Sequence, residues 1–249
     1  MAPVRLVSIL LAACCSFGAH GAELTVSAAA SLTHVFHELG PVFEAAHPGH
    51  KLRFNHAASG ALLQQIANGA PVDVLATADP ETMDLAQARG LVQAAQRRNF
   101  ASNTLVLVVP VAGRHSPKTL ADLAQPAYQR IAIGLPASVP VGRYTRSVLE
   151  AAGQWSAIEP KTVGAHNARQ ALDYVARAEV DAGFVFATDA ALARGKVRVA
   201  FTVPTTTPIL YPAAPVSASP NAALAQRFVE FLVSPAAQAV LARHGFGQP

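Results

Sequence analysis

Cysteine, charge and aromatic residues are all scarce in this chain, and each scarcity closes off a class of protein. Its 249 residues include two Cys and one Trp, with 6% aromatic and 14% charged residues. The two thiols, Cys14 and Cys15, are adjacent near the start. A disulfide framework or a Cys zinc site needs thiols spaced along the chain, so neither fits. Coiled coils and disordered tails are built from charge-rich sequence, and they are set aside too. The 19 Lys+Arg against 15 Asp+Glu leave a surplus of four, scattered without a basic run or aromatic-interleaved stripe. Nucleic-acid binding draws on clustered positive charge, which is missing.

Long hydrophobic runs are also missing. The longest, Leu6 to Phe17, is about twelve residues, short of the roughly 20 that a spanning helix needs. One charge (Arg5) precedes it, and the small residues Ala19-His20-Gly21 follow. That order reads as an export signal over residues 1–22, with the mature chain starting near Ala22 or Glu23. Leu11-Ala12-Ala13-Cys14 also resembles a bacterial lipobox, and the alternative mature form is lipid-anchored through Cys14. Cleavage after Gly21 removes both thiols, and with them thiolate catalysis. It also removes Arg5, lowering the positive surplus from four to three.

What remains is rich in apolar residues, 51% overall, and long enough for one large domain or two intimate lobes. Short β-branched runs alternate with helical patterns. Strands are expected at 24–28, 52–54, 72–76, 104–109, 130–134, 161–163, 182–186, 197–203 and 209–216. Helices are expected at 31–46, from the Ser59-Gly60 turn through 66, after Asp79-Pro80, at 141–152 and 168–178, and twice more at the end, at 221–232 and 234–243. Asp79-Pro80 reads as a cap followed by an N1 proline, and Ser59-Gly60 as a turn. This alternation implies α/β architecture with parallel sheets. A β-α-β-α-β unit occurs once before residue 104 and again over 130–186. The expected organisation is lobe 1 over 23–107, lobe 2 over 108–209, and 210–249 returning to lobe 1.

Ligands of open α/β sheets sit beyond the carboxyl ends of strands, at helix N-termini. Four such loops are built from small neutral residues: Ala28–Ser31, Ala57–Gly60, Ser138–Gly142 and Ala165–Ala168. Small side chains leave backbone N–H groups free to face an anion. The same residues also suit plain helix caps and close packing, but four such loops in an exported two-lobed chain favour an anion site.

Other chemistry finds little support. His34 and His37, and His47 and His50, have spacings that metal ligation permits, yet no carboxylate-rich motif accompanies them. Ser59 lacks the preceding glycine of a G-x-S-x-G elbow, and position 34 is His where S-x-x-K needs Lys. Phosphate-loop and dinucleotide glycine motifs are absent. Asp73, Asp79 and Asp189 are candidate acids or bases, the last two reading better as helix caps. A secreted hydrolase pairing Ser31 or Ser59 with His56 or His166 stays as an alternative class. The ligand-sensing domain of a transcription regulator is another, though it calls for a helix-turn-helix in place of an export signal.

At these loops the chain resembles a known family, the molybdate-binding proteins of bacterial molybdate ABC transporters. The resemblance runs through Leu24–Leu32, Gly69–Val74, Ala78-Asp79, Val139–Tyr144, Ala182–Asp189 and Tyr211-Pro212. It implies the type II periplasmic binding protein fold: two Rossmann-like α/β lobes joined by a two-strand hinge. It also implies a tetrahedral oxyanion, molybdate or tungstate, held between the lobes by neutral donors. Carried over by position, Ser31 and Ser59 give hydroxyl and backbone N–H groups, and Val141 and Ala168 give backbone N–H groups. The fifth position, a tyrosine in the family, is Phe186 here, which has no hydroxyl. Either a water or a nearby donor such as Thr188 or Asn167 compensates for it, or Phe186 marks weaker binding or a shifted oxyanion preference. The resemblance implies no cofactor and no catalysis, but a periplasmic monomer delivering its ligand to an inner-membrane ABC permease with a cytoplasmic ATPase. The alternative is the same fold with another ligand, sulfate or a small organic anion.

Overall fold

The computed structural model describes residues 21–249. The expected export signal, with Cys14, lies outside the described residues except for Gly21 and Ala22. The first half runs β1 (Glu23–Ala29), a 3-10 turn (Ala30–Leu32), α1 (Thr33–Ala46), β2 (Lys51–Ala57), α2 (Ser59–Ala67), β3 (Val74–Ala76), α3 (Pro80–Ala88) and β4 (Arg98–Asn103). The second runs β5 (Leu105–Pro110), β6 (Ile131–Gly134), α4 (Pro140–Ala151), α5 (Trp155–Ile158), β7 (Thr162–Ala165), α6 (Ala168–Ala176), β8 (Ala182–Phe186), α7 (Ala187–Leu192) and β9 (Val197–Val203). The chain closes with β10 (Ile209–Pro215), α8 (Ala222–Leu232) and α9 (Pro235–Arg243).

Two five-stranded sheets result, in the orders β2-β1-β3-β10-β4 and β7-β6-β8-β5-β9. Each has a parallel centre, as the alternating pattern implies. Neither is wholly parallel, however. β10 runs antiparallel to β3 and β4, and β5 runs antiparallel to β8 and β9. These strands enter from the other sheet instead of through a helical crossover, so the usual cause of parallel pairing does not act on them. The chain changes sheets at Thr104 and again over residues 204–208. Boundaries at 107/108 and 209/210 would cut β5 and detach the first residue of β10. The division falls earlier because the apolar run from Leu105 pairs as one strand.

β4 is the strand that periodicity misses, and the short helices α5 and α7 are missed as well. The β4 sequence Arg98-Asn99-Phe100-Ala101-Ser102-Asn103 buries only Phe100 and Ala101, as an edge strand pairing with β10. Ser59-Gly60 forms the first turn of α2 itself, with Ala58 at the N-cap position. The remaining elements follow their apolar faces. In α1, Val35, Phe36, Leu39 and Phe43 are buried along one side, at helical spacing, against the first sheet.

Strand register brings the loops together. Ala29 pairs with Ala57 at the carboxyl ends of β1 and β2, so the segments carrying Ser31 and Ser59 leave side by side. Gly134 pairs with Ala165 in the second sheet, which does the same for the starts of α4 and α6. The turn from β6 into α4 is drawn in tightly at Gly142. A Cβ there would lie 1.8 Å from the Gly134 carbonyl oxygen, a backbone atom that cannot swing aside. Gly142→Ala is therefore expected to destabilise the fold by roughly 1–3 kcal/mol or more, the usual cost of overpacking. Urea unfolding measures it, and wild-type stability would overturn the reading.

Candidate functional site

The carboxyl ends of β1, β2, β6, β7 and β8 converge where the two sheets' loops meet. They line one small cavity, and Ser31, Ser59, Val141, Ala168 and Phe186 all lie in its wall. The other wall residues are Ala and Pro with one Val, so no charged side chain lines it. All five are at most 5% exposed. Two of them come from the first sheet's loops and three from the second's.

Neither serine is a helix cap. Ser31 lies within the 3-10 turn, and Ser59 is the first helical residue of α2, behind Ala58. Their hydroxyls are already engaged: the Ala78 N–H donates to Ser59 Oγ at 3.0 Å, and Ser31 Oγ lies 3.1 Å from the Tyr211 hydroxyl. Val141 and Ala168 occupy the first turns of α4 and α6, where N–H groups have no intrahelical acceptor. Asn167 caps α6 by accepting from Gln170 N at 2.9 Å, which leaves the Ala168 N–H to the cavity side. The arrangement offers hydroxyl and amide donors under the partial positive charge of helix N-termini, a site for an anion.

Phe186 ends β8 and is 1% exposed. The two residues expected to replace its missing hydroxyl do not reach the cavity wall. Asn167 is occupied as a cap, and the Thr188 hydroxyl accepts from Asn103 Nδ2 at 2.8 Å. A hydroxyl directly behind Ser31 belongs instead to Tyr211, on β10, whose ring packs against Phe186 at 5.9 Å between centroids. In the sequence, Tyr211 stands out only within the Tyr211-Pro212 motif. Its proximity to Ser31, 180 positions away, is purely tertiary.

The hydrolase arrangement is not formed. Both ring nitrogens of His56 are buried without a hydrogen-bond partner, its ring stacked on Phe54. Burial lowers its pKa to about 4, which keeps it neutral. His166 lies at an exposed position. Among the described residues, no group of three His, Cys, Asp or Glu is placed to hold a metal. Asp73 is spent on structure: it accepts from Thr25 N at 2.7 Å, Ser219 Oγ at 2.5 Å and Asn221 Nδ2 at 3.2 Å. It sits beside a larger groove at the opposite ends of the first sheet's strands, away from the convergent loops.

Charges flank the cavity without entering it. Asp79 occupies the N-cap position of α3, but its carboxylate does not cap. It accepts instead from Arg143 of α4, Nε at 2.9 Å and Nη2 at 2.5 Å, and Arg143 also donates to Thr82 at 2.6 Å. This largely buried pair ties the two sheets' loops together. A backbone bond from Gly60 N to Ser138 O, 3.0 Å, does the same beside it. Asp189 is no cap either; it is fully buried in α7, with Arg169 Nη2 3.3 Å away and neither oxygen in a hydrogen bond.

Burial pushes the Asp189 carboxyl up to about 6; Arg169 opposes the rise and Asp173 adds to it. The unfolded carboxyl titrates near 3.8. Its contribution to stability is therefore full below pH 3.8 and is lost as pH rises through about 6. Asp189→Asn removes this titration, so the variant should gain stability relative to wild type between pH 4 and pH 7 (both roughly). Urea unfolding at those two pH values checks it; an equal difference at both would refute it.

Residues 24–247 match the family described as bacterial extracellular solute-binding protein. The chain is 32% identical over 229 residues to the molybdate-binding protein ModA of Escherichia coli, covering 90% of this chain and 88% of that one. It is 32% identical over 249 residues to a putative ABC transporter substrate-binding lipoprotein of Bacillus subtilis, covering 97% and 95%. Among solved structures, the Azotobacter vinelandii periplasmic molybdate-binding protein superposes with a TM-score of 0.77 at 26% identity, over 91% of this chain and 99% of that one. The sulfate-binding protein SubI of Mycobacterium tuberculosis gives the same score at 20% identity, over 90% and 86%, a likeness of fold. The two-lobed architecture is the type II periplasmic binding protein fold, and this chain belongs to the bacterial extracellular solute-binding protein family.

Proposed function

We propose that the chain captures a tetrahedral oxyanion, molybdate or tungstate, in the cavity between its lobes and delivers it to an inner-membrane ABC permease with its ATPase. The convergence of Ser31, Ser59, Val141, Ala168 and Phe186 on one uncharged cavity carries this reading. The relatives named for molybdate support the choice of ligand. Hydroxyl and amide donors suit an oxyanion whose exposed atoms are all acceptors, and each oxygen lone pair sealed from water needs such a partner. Sulfate meets the same donors, so size sets the choice between them. The protein acts by binding, without turnover, as an exported periplasmic monomer released from residues 1–22 or anchored through Cys14.

Thermal unfolding with molybdate, tungstate, sulfate and phosphate in turn tests the reading. An anion at 1,000 times its Kd should stabilise by about 4 kcal/mol, raising Tm by roughly 8–16 °C. A rise with molybdate and tungstate alone is the expected result; no rise with any anion would sink the proposal. Ser31→Ala and Ser59→Ala should each weaken molybdate binding by about tenfold or more, the worth of a hydrogen bond to a charged group. Full affinity in both would refute the residue assignment.

Closure makes a separate demand on Gly60. A Cβ there would lie 2.8 Å from Ser138 O and 2.9 Å from Ser138 Cα across the cleft. Gly60→Ala should therefore lower molybdate affinity roughly fivefold or more by resisting closure. The unfolding midpoint without anion should not fall, because open lobes escape the clash. Titration calorimetry beside a melting curve reads both; unchanged affinity would show that the lobes need not meet there.

A further inference from the structure

The serine hydroxyls are not free to point either way, and the reason lies in one chain of hydrogen bonds. Thr104 N–H donates to Asn103 Oδ1 at 2.8 Å. A backbone amide can only donate, so this contact fixes which end of the Asn103 side chain is oxygen. Its Nδ2 then donates twice, to Thr188 Oγ1 at 2.8 Å and to the Tyr211 hydroxyl at 3.1 Å. Tyr211 is fully buried, with its ring wedged edge-on among Phe100, Phe186 and Phe246. Its oxygen accepts from Asn103, and the Ser31 hydroxyl, 3.1 Å away, is the acceptor left for its proton. Were Ser31 to donate instead, a buried phenol O–H would have no acceptor, a costly state. Burial also raises the Tyr211 pKa well above its ordinary value, so the proton stays on.

We propose that Tyr211 and Asn103 are positioning residues that lock Ser31 as a donor toward the cavity. Ser59 is locked the same way by the Ala78 N–H, which can only donate to its oxygen. Both serine protons are thereby left for the ligand. The site then selects oxyanions that present lone pairs at both positions, and it rejects a hydrogen phosphate that must place a proton at either. For Ser31 this polarity is set from behind the cavity wall, and for Ser59 by the main chain of Ala78 within it. Neither Tyr211 nor Asn103 lies in that wall.

The inference rests on the oxyanion reading above, and the test separates the two. Sodium molybdate and inorganic phosphate are titrated calorimetrically into wild type, Tyr211→Phe and Asn103→Asp, in the full mature chain. Tyr211→Phe leaves Ser31 free to turn and accept. The molybdate-to-phosphate affinity ratio should fall by about tenfold, the scale of one hydrogen bond to a charged group. Asn103→Asp offers the Tyr211 proton an acceptor, which frees the Tyr211 oxygen to accept from Ser31, and should move the ratio in the same direction. A merely structural or charge effect would weaken both anions alike and leave the ratio unchanged, and that result overturns the proposal. If Tyr211→Phe does not fold, the ratio in Asn103→Asp decides alone. Wild type binding neither anion would overturn the oxyanion reading itself, whereas wild type binding molybdate with variant ratios unmoved overturns only the lock.

Discussion

A multiply charged anion can leave water only if every lone pair it loses there is answered, and no acceptor is forced against it. Under the proposed function, that constraint organises this molecule from the sheets outward. Register places the carboxyl ends of β1 and β2 together, and those of β6 and β7 together, so helix N-termini converge instead of scattering. The residues after those strand ends are small, which lets main-chain amides form the wall. The two side chains with polar atoms in that wall, Ser31 and Ser59, are each held by a hydrogen bond. A hydroxyl left to rotate would offer lone pairs as readily as its proton, and half of its usefulness to an anion would go.

Formal charge is handled by exclusion. The Asp79–Arg143 and Asp189–Arg169 pairs lie beside the cavity but outside its wall. A buried ion pair contributes little net stability once desolvation is counted. Its geometry is nevertheless exacting, and Arg143 meets Asp79 and Thr82 only when the two lobes are brought together. The pair is better understood as fixing how the lobes meet than as holding them shut. Selectivity among anions then falls to the neutral donors, whose directions are set by the backbone. An isolated cation in the cavity would attract any anion and discriminate poorly among them.

What could be read from the sequence, and what could not, follows from the range of each interaction. Four of the five residues brought to the cavity lie in loops that were legible as strand-to-helix junctions marked by small residues, whereas Phe186 was legible only through the family resemblance. Most strands were legible from apolar runs. β4 was not, since an edge strand with two buried residues leaves no such run. Asp79 shows the limit more sharply: its position before Pro80 reads as a cap, and it does occupy the N-cap. Its carboxylate is nonetheless claimed by Arg143, 64 residues on. Asp189 and Tyr211 are the same case, their environments assembled from Arg169 in one instance and from Ser31, Asn103 and Phe186 in the other. Antiparallel entry of β5 and β10 likewise depends on the path between lobes, which periodicity does not record.

The division of donors between the lobes bears on how binding and closure are linked. Ser31 and Ser59 belong to loops of the first sheet, while Val141 and Ala168 begin helices of the second. An anion resting on one lobe meets only that lobe's donors, and its remaining oxygens stay in water. It meets the rest only when the lobes close, so its affinity for the closed arrangement exceeds that for the open one. A ligand can shift a conformational equilibrium only by such a difference. Under the proposed function, sharing the donor-bearing loops across the hinge thus does more than surround the ligand. Had all four donors sat on one lobe, the anion would bind as tightly to the open form, and closure would carry no information about occupancy.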